Sequence, residues 1–168
     1  MVTERKMDAT RMLTEDHRKV EELFEQFEKA SGDGRKEKLA RQICMELKVH
    51  SMLEEEIFYP ALRGKIEDDD LDEAYVEHDG AKVLINEIEA GGPDDSFYDA
   101  KVKVLQEQIE HHVEEEEKSR GNLFQQARAA DVDLEALGEQ MALRKEELMK
   151  LAEQGALPPA EPATMRSV

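Results

Sequence analysis

The chain has 168 residues, of which 38% are charged and 39% are hydrophobic, and its formal net charge is −18. This length suits one compact domain, and the acidic balance argues against nucleic acid or an anionic membrane as a partner, because their phosphates carry the same sign of charge. The single cysteine, Cys44, excludes an intramolecular disulfide and a cysteine-rich zinc site. The polar start MVTERKM and the lack of a long apolar run indicate a cytoplasmic protein without a signal peptide or a membrane span.

Clusters of Gly, Pro, Ser and Asp divide the chain into five segments with helical periodicity. Helix-favouring residues such as Glu, Lys, Leu, Ala and Gln dominate each segment. The fourth segment contains Gly121-Asn122, which predicts a bend or a break. The predicted helices cover about 8–30, 35–63, 71–90, 94 or 96 to 129, and 134–153.

Four long helices with short connections predict an all-α, up-down-up-down four-helix bundle, with the additional C-terminal helix packed outside it. We expect residues 1–153 to form this domain and the Pro-rich residues 154–168 to form a flexible, disordered tail. The acidic run Asp68–Asp72 has Glu73 where a calcium loop needs glycine at its sixth position. It therefore predicts a helix N-cap and a solvated turn.

The apolar residues of the first four helices recur at steps of three and four, which is the period of one helix face. On each helix that face includes one histidine, and on the second and fourth helices a glutamate follows the histidine one turn later. These positions predict inward-facing polar side chains at His17, His50, Glu54, His78, His112 and Glu116.

The stretch EHHVEEEE contains two overlapping His-x-x-x-Glu pairs. The face through His112 and Glu116 continues the apolar residues Leu105 and Ile109, whereas the face through His111 is mostly polar. Helical phase therefore predicts that His112 and Glu116 point inward, that His111 and Glu115 lie to the side or are exposed, and that Glu114 and Glu117 largely face water.

A lone histidine on an apolar face is most often a hydrogen-bonded core residue, so no single position here indicates a metal site. Four histidines from four helices, together with two glutamates, form a different case. Two ionised carboxylates inside a bundle are costly unless cations compensate them, and a mixed set of imidazoles and carboxylates suits iron or manganese. The pattern favours a metal site over a purely structural bundle.

Two other metal patterns do not fit the chain. Ferritin-like di-iron bundles carry Glu-x-x-His on two helices, and no histidine here has a glutamate three positions before it. The metalloprotease motif His-Glu-x-x-His is also absent.

The ordered set of motifs resembles the hemerythrin-like family, also described as the HHE cation-binding domain. The matching stretches are Asp16-His17, HSMLEEEIFYPAL at 50–62, Glu77-His78-Asp79 and HVEEEE at 112–117, within a region of about 8–128. The resemblance implies a centre of two iron ions bridged by carboxylates and an oxo or hydroxo group. It implies these metal ligands, with the two glutamates as bridges: His17, His50, Glu54, His78, His112 and Glu116.

The chain departs from the dioxygen-carrying hemerythrins that it resembles, which have a second histidine on the third helix. The positions one turn from His78 hold Ala74 and Lys82. With about five ligands on each iron, one position on each metal stays open, unless Tyr75 or Glu115 fills it. Tyr75 is also a candidate for a supporting role around the centre, and no catalytic residue is assigned.

The resemblance and the ligand count predict a protein that binds and processes small oxygen species, either hydrogen peroxide in a catalase-like reaction, or dioxygen or nitric oxide. The alternative is a reversible sensor or store for dioxygen, nitric oxide or iron status, without turnover. The expected partner is a small molecule, and the acidic surface permits a monomer or a weak homodimer.

Overall fold

The computed structural model describes residues 7–166, and this part of the chain contains helices and no strand. Residues 1–6, which carry most of the polar N-terminal stretch, lie outside the described residues. The helices are α1 (Ala9–Lys29), α2 (Asp33–Leu53), α3 (Asp68–Ala90), α4 (Tyr98–Val113), α5 (Leu123–Ala129) and α6 (Leu134–Glu153). Two of them are prolonged. A π-helical turn, Glu54–Phe58, and the helical residues Tyr59–Leu62 follow α2, and a π-helical turn, Glu114–Lys118, follows α4.

Local capping explains where several helices begin. The Asp8 carboxylate accepts a hydrogen bond from the Arg11 backbone N–H at 3.0 Å and caps α1. Helix α3 begins at Asp68, three residues earlier than the sequence predicts, so the acidic run forms its first turn rather than a turn before it. Negative side chains are stabilised there because the N-terminal end of a helix carries partial positive charge.

Helices α1 to α4 form the predicted four-helix bundle, in which each helix packs against the next and α4 returns to α1. The bundle interior contains two apolar clusters. One cluster includes Val20, Phe24, Ile43, Ile85 and Leu105 near one end. The other, near the opposite end, includes Leu13, Leu53, Phe58, Leu71 and Met141. The polar residues on the inward faces lie between these two clusters.

Helices α5 and α6 close the second cluster from outside. The fourth predicted helix breaks at Gly121-Asn122, and the Asn122 side chain caps α5 by accepting from the Gln125 backbone N–H at 2.9 Å. Helix α6 packs against α1 and α2. Gly138 is required at that contact, because a Cβ there would lie 2.7 Å from the Met7 carbonyl oxygen.

The C-terminal segment 157–165 differs from the predicted flexible tail, because it lies along α2 and α3. The Asp79 carboxylate accepts the backbone N–H groups of Ala163, Thr164 and Met165 at 2.7–2.8 Å. Asn86 exchanges two hydrogen bonds with the Ala160 backbone. The Pro-rich composition predicts disorder. The backbone N–H groups at 163–165 have no helical partners, but they donate to the buried Asp79 carboxylate instead.

Within residues 7–166 none of the helices combines the length and the apolar character that a membrane crossing requires.

Candidate metal centre

The middle of the bundle brings together all six inward-facing polar residues of the sequence pattern, and each of them is buried. One histidine comes from each of the four bundle helices, and the two glutamates lie in the π-helical turns that prolong α2 and α4. The six residues are His17, His50, Glu54, His78, His112 and Glu116.

The imidazoles form two facing pairs. Nε2 of His17 lies 3.1 Å from Nε2 of His50, and Nε2 of His78 lies 3.1 Å from Nε2 of His112. Each pair and one carboxylate form a trio of potential ligand atoms within 4.8 Å of one another: His17, His50 and Glu116 in one, and His78, His112 and Glu54 in the other.

Each glutamate lies between the two pairs rather than beside one of them. Glu54 Oε1 is 2.7 Å from His50 Nε2 and 3.4 Å from His78 Nε2. The corresponding distances for Glu116 Oε1 are 3.0 Å to His112 Nε2 and 3.3 Å to His17 Nε2. Both carboxylates are therefore placed to bridge two neighbouring cations.

Three carboxylate oxygens of the six central residues are buried and have no hydrogen-bond partner: both oxygens of Glu54 and Oε1 of Glu116. They approach the imidazole nitrogens without hydrogen-bond geometry. Ligands about 2.1 Å from a shared metal ion and at right angles to one another lie about 3.0 Å apart. The spacing between the facing nitrogens, 3.1 Å, fits that value.

The four histidines are also held from behind, because each Nδ1 faces a carboxylate of a neighbouring helix. The Nδ1–oxygen distances are 3.1 Å for His50 and Asp16, 2.9 Å for His78 and Glu55, 3.3 Å for His112 and Glu77, and 3.2 Å for His17 and Glu117. These four acidic residues, here called the carboxylate ring, each stand next in sequence to one of the six central residues.

The carboxylate ring runs in one direction around the bundle. The carboxylate on α1 contacts the histidine of α2, the one following α2 contacts α3, the one on α3 contacts α4, and the one following α4 returns to α1. A carboxylate at Nδ1 keeps the proton on that nitrogen and leaves the Nε2 lone pair directed to the centre. Facing Nε2 lone pairs cannot bond to each other, so the arrangement suits a cation between them.

The carboxylates of the centre favour positive charge on His50, whereas burial lowers the pKa of His17. Burial alone would lower the pKa of His50, but the negative charges of Glu54 and Asp16 raise it to about 10. Burial alone would raise the pKa of Asp16, but hydrogen bonds to His50 and Lys145 lower it to about 2. Burial opposes ionisation of Glu116 as well, yet the charge of His112 holds the pKa of Glu116 well below its usual value.

The π-helical turn after α2 changes which residues face inward. An uninterrupted α-helix would direct Ile57 and Ala61 to the centre, because they continue the steps of three and four residues that begin at His50 and Glu54. In the π turn the backbone N–H of Tyr59 bonds to the carbonyl of Glu54, five residues back, and this extra residue rotates the following positions. Tyr59 and Leu62 are buried, whereas Ile57 and Ala61 are only partly buried.

Tyr59 is the residue of the centre that sequence reasoning missed. Its hydroxyl donates to Glu116 Oε2 at 2.9 Å and lies 3.3 Å from His78 Nε2 and 3.4 Å from His112 Nε2. Burial and the charge of Glu116 hold the pKa of Tyr59 well above its usual value, so the phenol keeps its proton at neutral pH. Glu54 stands five residues before Tyr59 in the sequence. This spacing places both residues on one helix face only when the turn between them is π-helical, so an α-helical reading does not detect it.

Tyr75 and Glu115 lie outside the centre. The Tyr75 hydroxyl is 3.4 Å from the Glu55 carbonyl oxygen, and its ring packs edge-on against Tyr59 with centroids 5.3 Å apart. Glu115 Oε1 lies 3.2 Å from His111 Nε2 instead. It is Tyr59, and neither of the two sequence candidates, that reaches the central atoms.

The structure separates the residues of EHHVEEEE as helical phase predicts, with one correction. His112 and Glu116 are buried, and the His111 side chain is 64% exposed. Glu117 was expected to face water, but its side chain is only 8% exposed and contacts His17 and Arg18. It lies in the second π-helical turn, which rotates it toward α1.

Two spaces adjoin the centre. A small cavity of about 20 Å³ is bounded by the four histidines and by apolar side chains that include Leu47 and Ile109. A larger cleft of about 240 Å³ lies between α3 and the end of α4, and its lining includes Glu77, Ala74, His112 and Glu116. Ala74 is one of the two positions one turn from His78, and the other, Lys82, binds the Glu55 carboxylate at 2.9 Å.

Comparisons with known proteins agree with this geometry. The hemerythrin HHE cation-binding domain model matches residues 8–121. A crystal structure of a hemerythrin HHE cation-binding domain-containing protein from Mycobacterium kansasii has the same fold, with a TM-score of 0.75, 22% identity, and coverage of 92% of this chain and 94% of that one. A DNA nickase of Nostoc sp. is 30% identical over 104 residues, which are 62% of this chain and 30% of the nickase. The match therefore spans less than a third of that relative.

Proposed function

The chain belongs to the hemerythrin HHE cation-binding domain family, and from this premise we propose that it holds two iron ions between its four bundle helices and processes small oxygen species there. His17 and His50 would hold one iron, and His78 and His112 the other. Glu54 and Glu116 would bridge them, and an oxo or hydroxo group would complete the pair.

The observation that carries this proposal is the convergence of buried lone pairs. Facing imidazole nitrogens and carboxylate oxygens without hydrogen-bond partners occupy one region of the bundle. Such an arrangement is unfavourable without cations, because buried polar atoms lose their hydration and gain no partner. Histidine and carboxylate together suit iron or manganese rather than calcium or magnesium.

When bound, a pair of irons supplies the electrons that peroxide or dioxygen chemistry requires. The chain's own residues control orientation and protons. The carboxylate ring fixes the four imidazoles, and the apolar clusters on both sides limit water. Tyr59 holds a proton on its hydroxyl, 2.9 Å from Oε2 of Glu116, and Glu116 lines the cleft through which small molecules would enter.

Peroxide turnover tests the enzymatic form of the proposal. Iron-loaded protein mixed with hydrogen peroxide should evolve oxygen, and the doubly substituted Glu54→Ala, Glu116→Ala protein should not. Equal oxygen evolution by the two proteins would rule out turnover at this centre, since free iron would then account for the reaction.

Reversible binding of dioxygen or nitric oxide is the second candidate, and the cavity of about 20 Å³ beside the histidines favours it. A space of this size accommodates about one small molecule. This role predicts an optical spectrum that appears when the ferrous protein meets the gas and disappears under vacuum. Rapid irreversible oxidation of the ferrous protein would exclude it.

DNA cleavage is not the function that the centre supports best, although one relative is a DNA nickase. A net charge of −18 repels the phosphate backbone. The lining of the cleft that leads to the centre includes Asp70, Glu73, Glu77 and Glu115, so a DNA strand that approached the centre through this cleft would meet like charges.

A further inference from the structure

We propose that the acidic cleft between α3 and α4 is the route by which divalent cations enter the buried centre, with Glu77, His111 and Glu115 forming a transit site at its rim. This inference rests on the proposed function, because it assigns a path to the metal of the same centre.

The cleft joins the surface to two of the six central residues. Its inner wall includes His112 and Glu116, of which 5% and 1% are exposed. Glu116 Oε1 has no hydrogen-bond partner. A nearly fully buried carboxylate with a free oxygen at the inner end of an opening is a destination for a cation that enters there.

The outer wall of the cleft is acidic over its length. Asp70, Glu73 and Glu77 stand three and four residues apart on α3, so they share one helix face. Glu115 faces them from the turn after α4. Such a row of like charges in a concave surface raises the local concentration of cations. Arg120 is the one Lys or Arg among the lining residues, so the net charge of the lining remains negative.

Three side chains at the rim offer possible metal-ligand atoms that take no part in the contacts between the carboxylate ring and the central histidines. Glu115 Oε1 lies 3.2 Å from His111 Nε2, and Glu77 Oε2 lies 3.7 Å from the same nitrogen. The three residues offer ligand atoms within 4.8 Å of one another. Glu77 Oε2 is buried and has no hydrogen-bond partner.

Glu77 joins the rim to the centre. Its Oε1 faces His112 Nδ1 at 3.3 Å, while its Oε2 faces His111. A cation held by one imidazole and two carboxylates at a partly exposed position exchanges more readily than one enclosed by the buried centre. The rim is therefore suited to capture and transfer, and the centre to retention.

The rate of iron uptake tests the route separately from the capacity of the centre. Metal-free full-length protein is mixed anaerobically with Fe²⁺, and unprotected iron is measured at intervals with a chromogenic ferrous chelator. Glu73→Gln combined with Glu115→Gln should slow uptake roughly fivefold or more and leave the final iron content at the wild-type value. His111→Ala should also slow uptake with unchanged final content.

The matched control is Glu22→Gln combined with Glu25→Gln, which removes the same charge from exposed positions of α1 away from the cleft and from the transit site. It should load at nearly the wild-type rate. Equal rates for the wild type and the cleft variant, or equal slowing of both variants, would overturn the route. Wild-type protein that takes up no iron would instead overturn the proposed function, and the route with it.

Discussion

Each of the four central imidazoles is held by a carboxylate at Nδ1 and directs Nε2 to the centre. Substitutions of single residues should therefore have distinct effects on metal binding. Adjacent residues such as His111 and His112 differ in burial and in partners, although they share one residue type and one helix.

The two adjacent histidines should differ in their effect on iron content. His112→Ala removes an atom that faces His78 and Glu116 and should abolish loading at one of the two positions at least. His111→Ala leaves the centre intact and should preserve the final iron content, even where it slows uptake. Iron analysis after reconstitution measures both, and loss of iron in the His111 variant alone would reverse the orientation proposed for α4.

Tyr59→Phe should destabilise the metal-free protein. The change removes the hydroxyl that donates to Glu116 Oε2 and leaves a buried carboxylate oxygen without its partner. We expect the free energy of unfolding to fall by about 1–3 kcal/mol, measured by urea denaturation. Tyr75→Phe is the matched control, because its hydroxyl makes only a 3.4 Å contact with a carbonyl. Equal losses in the two variants would contradict the role given to Tyr59.

At the scale of secondary structure, the two π-helical turns and the C-terminal segment distinguish this bundle from a set of uniform helices. The turns place Tyr59 and Glu117 against the centre. The segment 157–165 reaches the same region from outside, because Lys82 binds both the Glu161 carbonyl oxygen and the Glu55 carboxylate. The segment is thereby connected to the carboxylate ring.

Asp79→Ala should release the C-terminal segment. The variant loses the carboxylate that accepts three consecutive backbone N–H groups and the Thr164 hydroxyl. Amide hydrogen exchange at 163–165 should accelerate at least about tenfold, measured by mass spectrometry of the C-terminal peptide. Asp99→Ala, at an exposed carboxylate on α4, serves as the control. Unchanged exchange in the Asp79 variant would show that the segment is held by other contacts.

The sequence pattern was sufficient for the fold and for the six inward-facing positions, because α-helical periodicity continues up to each π turn. The pattern failed beyond the π turns, because one extra residue rotates the helix there. Tyr59 is therefore buried at the centre, and Ile57 is only partly buried. Members of the carboxylate ring such as Asp16 and Glu55 stand among charged neighbours and look like solvated surface in the sequence. Only the positions of adjacent helices show that they face histidines.

At the scale of the whole molecule, the bundle places a charged centre between two apolar clusters, and this makes stability depend on pH. In the metal-free protein the pKa of His50 is raised from 6.5 to about 10. Its contribution to stability is complete below pH 6.5 and is lost as the pH rises through 10. The pKa of Asp16 is lowered from 3.8 to about 2, so its contribution is present above pH 3.8 and is lost as the pH falls through 2.

The metal-free protein should therefore unfold more easily at pH 9 than at pH 6. Denaturant titration at the two values measures the difference. Iron-loaded protein should show a smaller decrease, because the metal occupies the nitrogen lone pairs that would otherwise bind protons. A metal-free protein that is more stable at pH 9 would contradict the positive charge assigned to His50.

The most direct test of the central claim is the number of iron ions bound per chain. Metal-free protein is reconstituted anaerobically with Fe²⁺, freed of unbound metal and analysed for iron and protein together. We expect two irons per chain in the wild type, since there are two pairs of facing imidazoles, and none in the Glu54→Ala, Glu116→Ala protein. A wild-type chain that retains no iron, or as much iron as the doubly substituted one, would contradict the di-iron centre.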